Sequence, residues 1–196
     1  MAASAAVSVA VSVVDLAAGA VAPAVVEVPQ VAGNKLTKLI GIDTLKGQYL
    51  GHRYFTKSFL AELSEYIAES ETQHQAELVV AVERSFPAHL DLTRDRALEI
   101  FGRLRVWDTP LNTGVLLYLS LERQAIEIIA DRGIEVEDER WVEVSTTLAR
   151  SFKNKQFCEG LQAAVKQIGE ILTEACPYPD SAERSDGVLA NEPVIL

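Results

Sequence analysis

The stretch GVLLYLSLERQAIEIIAD, residues 114–131, decides the fold. It contains two apolar runs, GVLLYLSL at 114–121 and AIEIIA at 125–130, and each run is typical of a buried β-strand. Only residues 122–124 lie between them, and so short a connection predicts a hairpin. The two strands are therefore expected to pair antiparallel within one sheet.

The spacing of apolar residues predicts one more strand and four helices. LVVAV at 78–82 is apolar enough to be a strand buried on both faces. The first two helices are expected to begin at Thr56 and Thr93. The third is expected to end near Asn154, and the fourth to end before Pro177. The last helix has the strongest apolar stripe in the chain, formed by Phe157, Leu161, Ala164, Val165, Ile168 and Leu172.

The order of these elements predicts an α/β fold in which a small mixed β-sheet is sandwiched by helices. A helix lies between the first two strands, and this connection is long enough for a right-handed parallel crossover. The sheet is thus expected to combine one parallel pair with the antiparallel hairpin.

Composition divides the chain into three parts. Residues 1–53 are predicted to be a low-complexity, Ala/Val-rich extension and linker, residues 54–179 the folded domain, and residues 180–196 a polar tail. Positive charge is absent before Lys35. The linker is punctuated by four glycines, Gly33, Gly41, Gly47 and Gly51.

Three interpretations of the first 34 residues stay open: a weakly ordered extension, a degenerate export signal and a membrane anchor. Alternating valines from Val7 to Val13 suit a strand or disorder. Asp15 interrupts the run of about 20 apolar residues that a membrane span needs, and a secretory signal would begin with positive charge. We predict no stable membrane span and a cytoplasmic location, with export or membrane association through this segment as the alternative.

Charge and side-chain inventory exclude several functions. The net charge is −10 at pH 7, which argues against a nucleic-acid partner because phosphate neutralisation needs a basic surface. The two cysteines are too few for a disulfide framework, and the three histidines lack a zinc-binding spacing. Four clustered arginines are interpreted as a solvated helix face rather than a phosphate contact, namely Arg94, Arg96, Arg103 and Arg105.

Four oxygen-bearing side chains are predicted to meet at one edge of the sheet. With the hairpin centred on its short turn, paired residue numbers sum to about 246, which places Asp131 beside Val115. Asp108 and Asn112 precede that strand, and Glu77 begins the parallel neighbour at the same edge. Carboxylate and amide oxygens brought together suit Ca²⁺ or Mg²⁺, which would neutralise their repulsion. The sequence thus suggests a divalent-cation site.

A purely structural interpretation of the same residues stays open. Asp108 can cap a turn, and Asn112 can adopt a left-handed turn conformation. Asp131 can pair with Arg132 or Arg105. Spacing alone does not decide between this interpretation and a cation site.

One long block and several flanking segments carry a family resemblance. The block is VWDTPLNTGVLLYLSLERQAIEIIADRGI at 106–134; the flanking features are ESETQHQAELVVAVE at 69–83, Trp141, Phe152, the Gly-Leu pair at 160–161, and NEPVIL at 191–196. Together they resemble the TPM domain, a family with thylakoid-lumen proteins tied to photosystem II repair and many bacterial members. The resemblance covers residues 54–177.

The resemblance implies an α/β sandwich, divalent-cation binding at the sheet edge in some members, and acid phosphatase activity in the plant branch. It also implies roles near membranes or in protein quality control. Three positions depart from the family pattern. Ala76 replaces the usual glycine before Glu77, Thr113 separates Asn112 from its glycine, and Cys176 stands where an aromatic residue is usual.

Two functions of different class follow. The first is a divalent-cation-binding module that acts through an unidentified protein partner. The second is a metal-dependent acid phosphatase, in which Asp108 and Asp131 would position metal and water while Arg105 or Arg132 would hold phosphate. Because no phosphate-cradling glycine loop and no nucleophile–histidine pair stands out, the sequence favours binding over catalysis.

Overall fold

The predicted hairpin lies at the centre of a five-stranded sheet. The structure is a computed structural model that describes residues 8–14, 42–178, 187 and 189–196. Its elements in chain order are β1 (Ser8–Val14), α1 (Ile42–Tyr54), α2 (Lys57–Glu71), β2 (Glu77–Glu83), α3 (Thr93–Arg103), β3 (Gly114–Ser120), β4 (Ala125–Asp131), α4 (Asp138–Lys153), α5 (Phe157–Ala175) and β5 (Val194–Ile195).

The sheet is mixed, as the sequence predicts. Its strands are ordered β1-β4-β3-β2-β5. Strands β3 and β4 pair antiparallel, whereas β2 pairs parallel with β3 through the crossover that contains α3. The outer strands β1 and β5 also pair parallel with their neighbours. The α/β fold and the topology of the three central strands are thereby confirmed.

The hairpin register differs by one residue from the simple expectation. Val115 pairs with Ala130 rather than with Asp131. The turn is centred between residues 122 and 123, whereas the simple expectation centres it on Arg123. Gln124 takes a left-handed conformation in this turn, with φ 52°. As a result Asp131 is level with Gly114, which pairs on its other side with Glu77.

Apolar layers cover both faces of the sheet. Helices α2, α4 and α5 bury their stripes on one face, where alternate strand residues such as Val80 and Leu117 belong to the same core. Helix α3 covers the other face with a smaller core that includes Ile100 and Phe101. Alternation of side chains along β2, β3 and β4 therefore supplies both layers.

Helix α1 covers residues 42–54, most of which belong to the stretch that composition assigns to the linker. Gly47 and Gly51 lie inside this helix, while Gly33 and Gly41 fall outside the described residues. A Cβ at position 47 would lie 2.1 Å from the Arg84 carbonyl oxygen. This glycine therefore allows the helix to lie close to the end of β2. Its role is close packing, whereas the sequence suggested a flexible linker residue.

The two ends of the described chain border the sheet. The alternating valines of β1 pair with β4 from Ser8 to Val14, as the strand interpretation expects. At the other end Leu196 donates its N–H to the Val82 carbonyl over 2.9 Å. The proposed division into extension, domain and tail stays a prediction. None of the described helices has the length and apolar character that a bilayer crossing requires.

Candidate functional site

The loop from α3 to β3 has a shape fixed by its own hydrogen bonds. Arg105 and Asn112 take left-handed conformations with φ 54° and 56°. The Asp108 N–H donates to the Arg105 carbonyl over 2.8 Å. Thr109 accepts from the N–H of Thr113 through its hydroxyl over 2.8 Å. The turn conformation expected for Asn112 is present, and the loop directs its residues to the edge where β3 begins.

Gly133 joins this loop to the end of β4. Its N–H donates to the Asn112 carbonyl over 2.8 Å. A Cβ at this position would lie 2.2 Å from the Leu111 carbonyl oxygen and 2.6 Å from that of Asn112. Only glycine permits so close an approach, and the contact therefore brings the Asp131 segment beside the Asn112 loop.

Asp131 is the buried acid at this edge, with 3% of its surface exposed. Its Oδ1 accepts from the N–H of Arg132 over 2.7 Å. Its Oδ2 is buried and has no hydrogen-bond partner among the described residues. Burial raises the pKa of Asp131 above its ordinary value, although the N–H and charge of Arg132 oppose the rise. This orphaned oxygen is the unusual feature of the site.

The other loop side chains are more accessible. Asp108 is exposed and Asn112 is half-buried. The Arg132 guanidinium donates to the Asn112 Oδ1 over 3.2 Å. The arginine pairing expected for Asp131 under the structural interpretation is not present among the ion pairs of the described residues.

Glu77 reaches the same edge but turns towards the carboxyl-terminal segment. Its Oε2 accepts from the Leu189 N–H over 2.5 Å. Because β3 separates β2 from β4, Glu77 and Asp131 are two strand spacings apart, about 10 Å. Within the ranges that the structure describes, no three Asp, Glu, His or Cys side chains form a group that could hold a metal ion. The convergence of Glu77, Asp108 and Asp131 on one cation stays a prediction.

A buried polar cluster between α3 and the sheet was missed by the sequence reasoning. Arg96 donates through Nη2 to Glu83 over 2.5 Å and through Nη1 to Glu99 over 2.8 Å. The Tyr118 hydroxyl donates to the second oxygen of Glu83. Burial, followed by the bond to Glu83, raises the pKa of Tyr118. The interpretation of Arg96 as part of a solvated face is wrong, because this side chain neutralises a buried glutamate.

Glu127 forms a second buried pair on the same face. Its Oε1 accepts from the Thr93 hydroxyl, whereas its Oε2 is buried without a partner among the described residues. Burial raises the pKa of Glu127 to about 7. The signal for both pairs was available in the sequence, since Tyr118 and Glu127 interrupt otherwise apolar strands.

The buried Glu127 should make stability depend on pH. The folded state holds its proton more tightly than the unfolded state, where the pKa is near 4.5. Its contribution is therefore complete below pH 4.5 and is lost as pH rises through 7. A shift of this size corresponds to about 3 kcal/mol. We expect Glu127→Gln to raise the free energy of unfolding by about 1–3 kcal/mol at pH 8 and to change it little at pH 5.

Urea denaturation at the two pH values measures this effect. Glu135→Gln, which changes an exposed glutamate, is the matched control and should leave the profile unchanged. Equal shifts for Glu127→Gln at both pH values would show that the carboxyl is already ionised in the folded state. Glu71, whose pKa burial also raises to about 7, would supply the pH dependence that remains in the variant.

Comparisons with known proteins support the fold. The family model of the TPM domain matches residues 52–171. The NMR structure of BA42 protein from the psychrophilic bacterium Bizionia argentinensis is similar, with a TM-score of 0.64 and 25% sequence identity, over 74% of this chain and 97% of that one. No curated protein matches the sequence.

Proposed function

The chain belongs to the TPM domain family, and we propose that it is a divalent-cation-binding module that acts through a protein partner. The proposed site is the edge where the α3–β3 loop meets the end of β4. Its ligands are Asp131, Asp108 and Asn112. Glu77 is not among them, because its strand lies two strand spacings from that of Asp131, about 10 Å.

The observation that carries the proposal is the orphaned Oδ2 of Asp131. A buried carboxylate oxygen without a donor costs free energy unless a proton or a cation satisfies it. Its partner oxygen is fixed by the Arg132 N–H, so the free oxygen has a defined direction. A divalent cation is the partner that offsets most of this cost, since it neutralises the charge as well as accepting the lone pair.

The surrounding donors suit a hard cation. Carboxylate, amide and backbone carbonyl oxygens are the ligands that Ca²⁺ takes, and Mg²⁺ uses one or two carboxylates together with water. Asp108 supplies a second carboxylate from the exposed side. The Asn112 amide oxygen would exchange its bond to Arg132 for the cation. The bound ion would fix the loop against β4 and so shape the surface that a partner contacts.

Thermal unfolding with and without metal tests the site. A ligand at 100 times its dissociation constant that binds only the folded state stabilises by about 2.7 kcal/mol. Each kcal/mol moves the melting temperature of a chain of this size by roughly 2–4 °C. We therefore expect saturating Ca²⁺ or Mg²⁺ to raise the melting temperature by about 5–10 °C over an EDTA-treated sample.

Asp131→Asn should remove most of this rise without weakening the metal-free protein, because the amide retains an acceptor for Arg132 and carries no buried charge. Asp91→Asn changes an exposed aspartate at the opposite end of α3 and should preserve the full response. A melting temperature that stays constant with both metals up to millimolar concentrations would disprove the cation site.

A metal-dependent phosphatase is the alternative. The Arg132 guanidinium beside Asn112 could hold a phosphate oxygen. Against catalysis, Thr109 is buried and its hydroxyl accepts from Thr113, which leaves no accessible hydroxyl nucleophile beside Asp131 in the described loop. Turnover of p-nitrophenyl phosphate that requires metal and disappears in Asp131→Asn would favour the enzyme; equal turnover in both proteins would indicate contamination.

The cellular setting is also a proposal. The family resemblance supports action near a membrane or in protein quality control, and a cytoplasmic location agrees with the Asp15 interruption of the amino-terminal apolar run. Fractionation of cells that express the tagged full chain would test this location. Recovery from the membrane fraction would favour association through residues 1–34.

A further inference from the structure

A cleft of about 450 Å³ opens at the hairpin end of the sheet, at the opposite end from the Asp131 edge. Helix α1 forms one side, and the junction between α4 and α5 forms the other. The β3–β4 hairpin supplies the floor through Leu119, Leu121 and Ile126. We propose that this cleft binds an amphiphilic anion, a molecule with an apolar body and a terminal carboxylate or phosphate group.

The inner surface of the cleft is apolar and aromatic. The rings of Tyr54 and Phe157 lie 4.4 Å apart between centroids, and those of Phe152 and Phe157 lie 4.9 Å apart. This three-ring wall joins α1 to the α4–α5 junction. Pre-formed concave sites of about 300–1,000 Å³ lined by aromatic and aliphatic groups are typical of small-molecule binding. The wall and floor therefore suit the apolar body of the ligand.

The rim of the cleft is positively charged. Lys46, Lys153 and Lys155 line it, and no acidic side chain is among the described residues that do. None of these lysines forms an ion pair within the described chain. The nearby Glu122 uses its carboxylate to accept from the Phe86 N–H over 3.0 Å. In a chain with a net charge of −10, this concentration of unpaired cations is a local reversal that selects an anion.

The position of one lysine is set by the backbone. Lys155 takes a left-handed conformation with φ 63°, and its N–H donates to the Phe152 carbonyl over 3.0 Å. This turn brings an aromatic residue of the wall and a cation of the rim to the same place. A ligand that contacts both groups must have an apolar body and a negative charge. An inorganic anion would leave the apolar wall without a contact, and a neutral lipid would leave the lysines without one.

The inference is independent of the cation site, because the two lie at opposite ends of the sheet. Isothermal titration of the full chain at low salt with dodecanoate and with dodecyl phosphate, each below its micelle concentration, tests it. We expect saturable one-to-one binding of at least one of them, and the stronger of the two identifies the head group. Dodecyl maltoside and inorganic phosphate should bind at least tenfold more weakly, since the first lacks the charge and the second lacks the apolar body.

Surface variants locate the binding. Lys153→Gln/Lys155→Gln should weaken it by a factor of about 2 to 30, because two exposed charge pairs with the head group are lost. Added salt should produce a similar loss in the wild type. Lys166→Gln, on the exposed side of α5, is the matched control and should bind as the wild type does. Absence of saturable binding to the full chain, or equal binding by the double variant, would overturn the proposal. Dodecyl maltoside or inorganic phosphate binding as tightly as the amphiphilic anions would overturn it as well.

Discussion

Arg96→Met is expected to lower the free energy of unfolding by about 3–5 kcal/mol. The substitution removes the guanidinium that donates to both oxygens of Glu83 and leaves that carboxylate buried, with 2% of its surface exposed. The Tyr118 hydroxyl would be its only remaining donor among the bonds that the structure describes. An uncompensated charge in a low-dielectric layer is the main source of the loss.

A double-mutant cycle separates this charge effect from lost packing. Arg96→Met/Glu83→Gln should recover much of the stability, because replacing both members of a buried pair by neutral groups is often tolerated. Arg103→Met, at the exposed end of the same helix, is the control and should change stability by less than about 0.5 kcal/mol. If Arg96→Met unfolds at the same urea concentration as Arg103→Met, the pair does not stabilise the α3 layer.

The hairpin and the helical stripes could be predicted because each depends on local periodicity. Residues 114–121 and 125–130 give two apolar strands with almost no connection, so antiparallel pairing is the only short solution. The exact register could not be predicted in the same way. It depends on the conformation of Gln124 in the turn, and a difference of one residue there changed the partner of Asp131.

The candidate site was only partly predictable for a physical reason. Sequence and topology place Asp108, Asn112 and Asp131 near one edge, but they do not say which atoms the backbone will satisfy. The contact of Gly133 with Asn112 and the burial of Asp131 depend on tertiary packing. Glu77 begins β2 at the expected edge, but its bond to the Leu189 N–H could not be predicted, because Leu189 lies 112 residues away in the sequence.

Buried polar residues on the α3 face were missed for the opposite reason. Arg96 belongs to a run of charges that is ordinarily solvated, and its burial becomes visible only when Glu83 is known to lie under α3. Strand alternation did contain the information, because Glu83 shares a face with Tyr118 and Glu127. The alternation of side chains along a strand thus assigns a charged residue at its end, such as Glu83, to one face of the sheet just as it assigns the apolar residues.

Ile168→Ala is expected to lower the free energy of unfolding by about 2–5 kcal/mol. Ile168 is completely buried in α5, and it belongs to the core that contains Trp141 of α4 and Leu63 of α2. Truncation removes three carbons from a fully buried position in the core that α2, α4 and α5 share with the strands, and the close packing of such a core limits collapse into the space. The corresponding fall in melting temperature is roughly 4–20 °C.

Graded variants distinguish a cavity from a general helix effect. Ile168→Val removes one methylene and should cost about 0.5–1.5 kcal/mol. Lys166→Ala, which alters a side chain with 78% exposure and only a 4.0 Å contact to Glu170, should stay within about 0.5 kcal/mol of the wild type. If Ile168→Ala also stays within that range, α5 is peripheral and the large core does not depend on it. A loss that increases from valine to alanine instead identifies α5 as the helix that closes the larger layer, since only a fully enclosed position penalises each missing carbon.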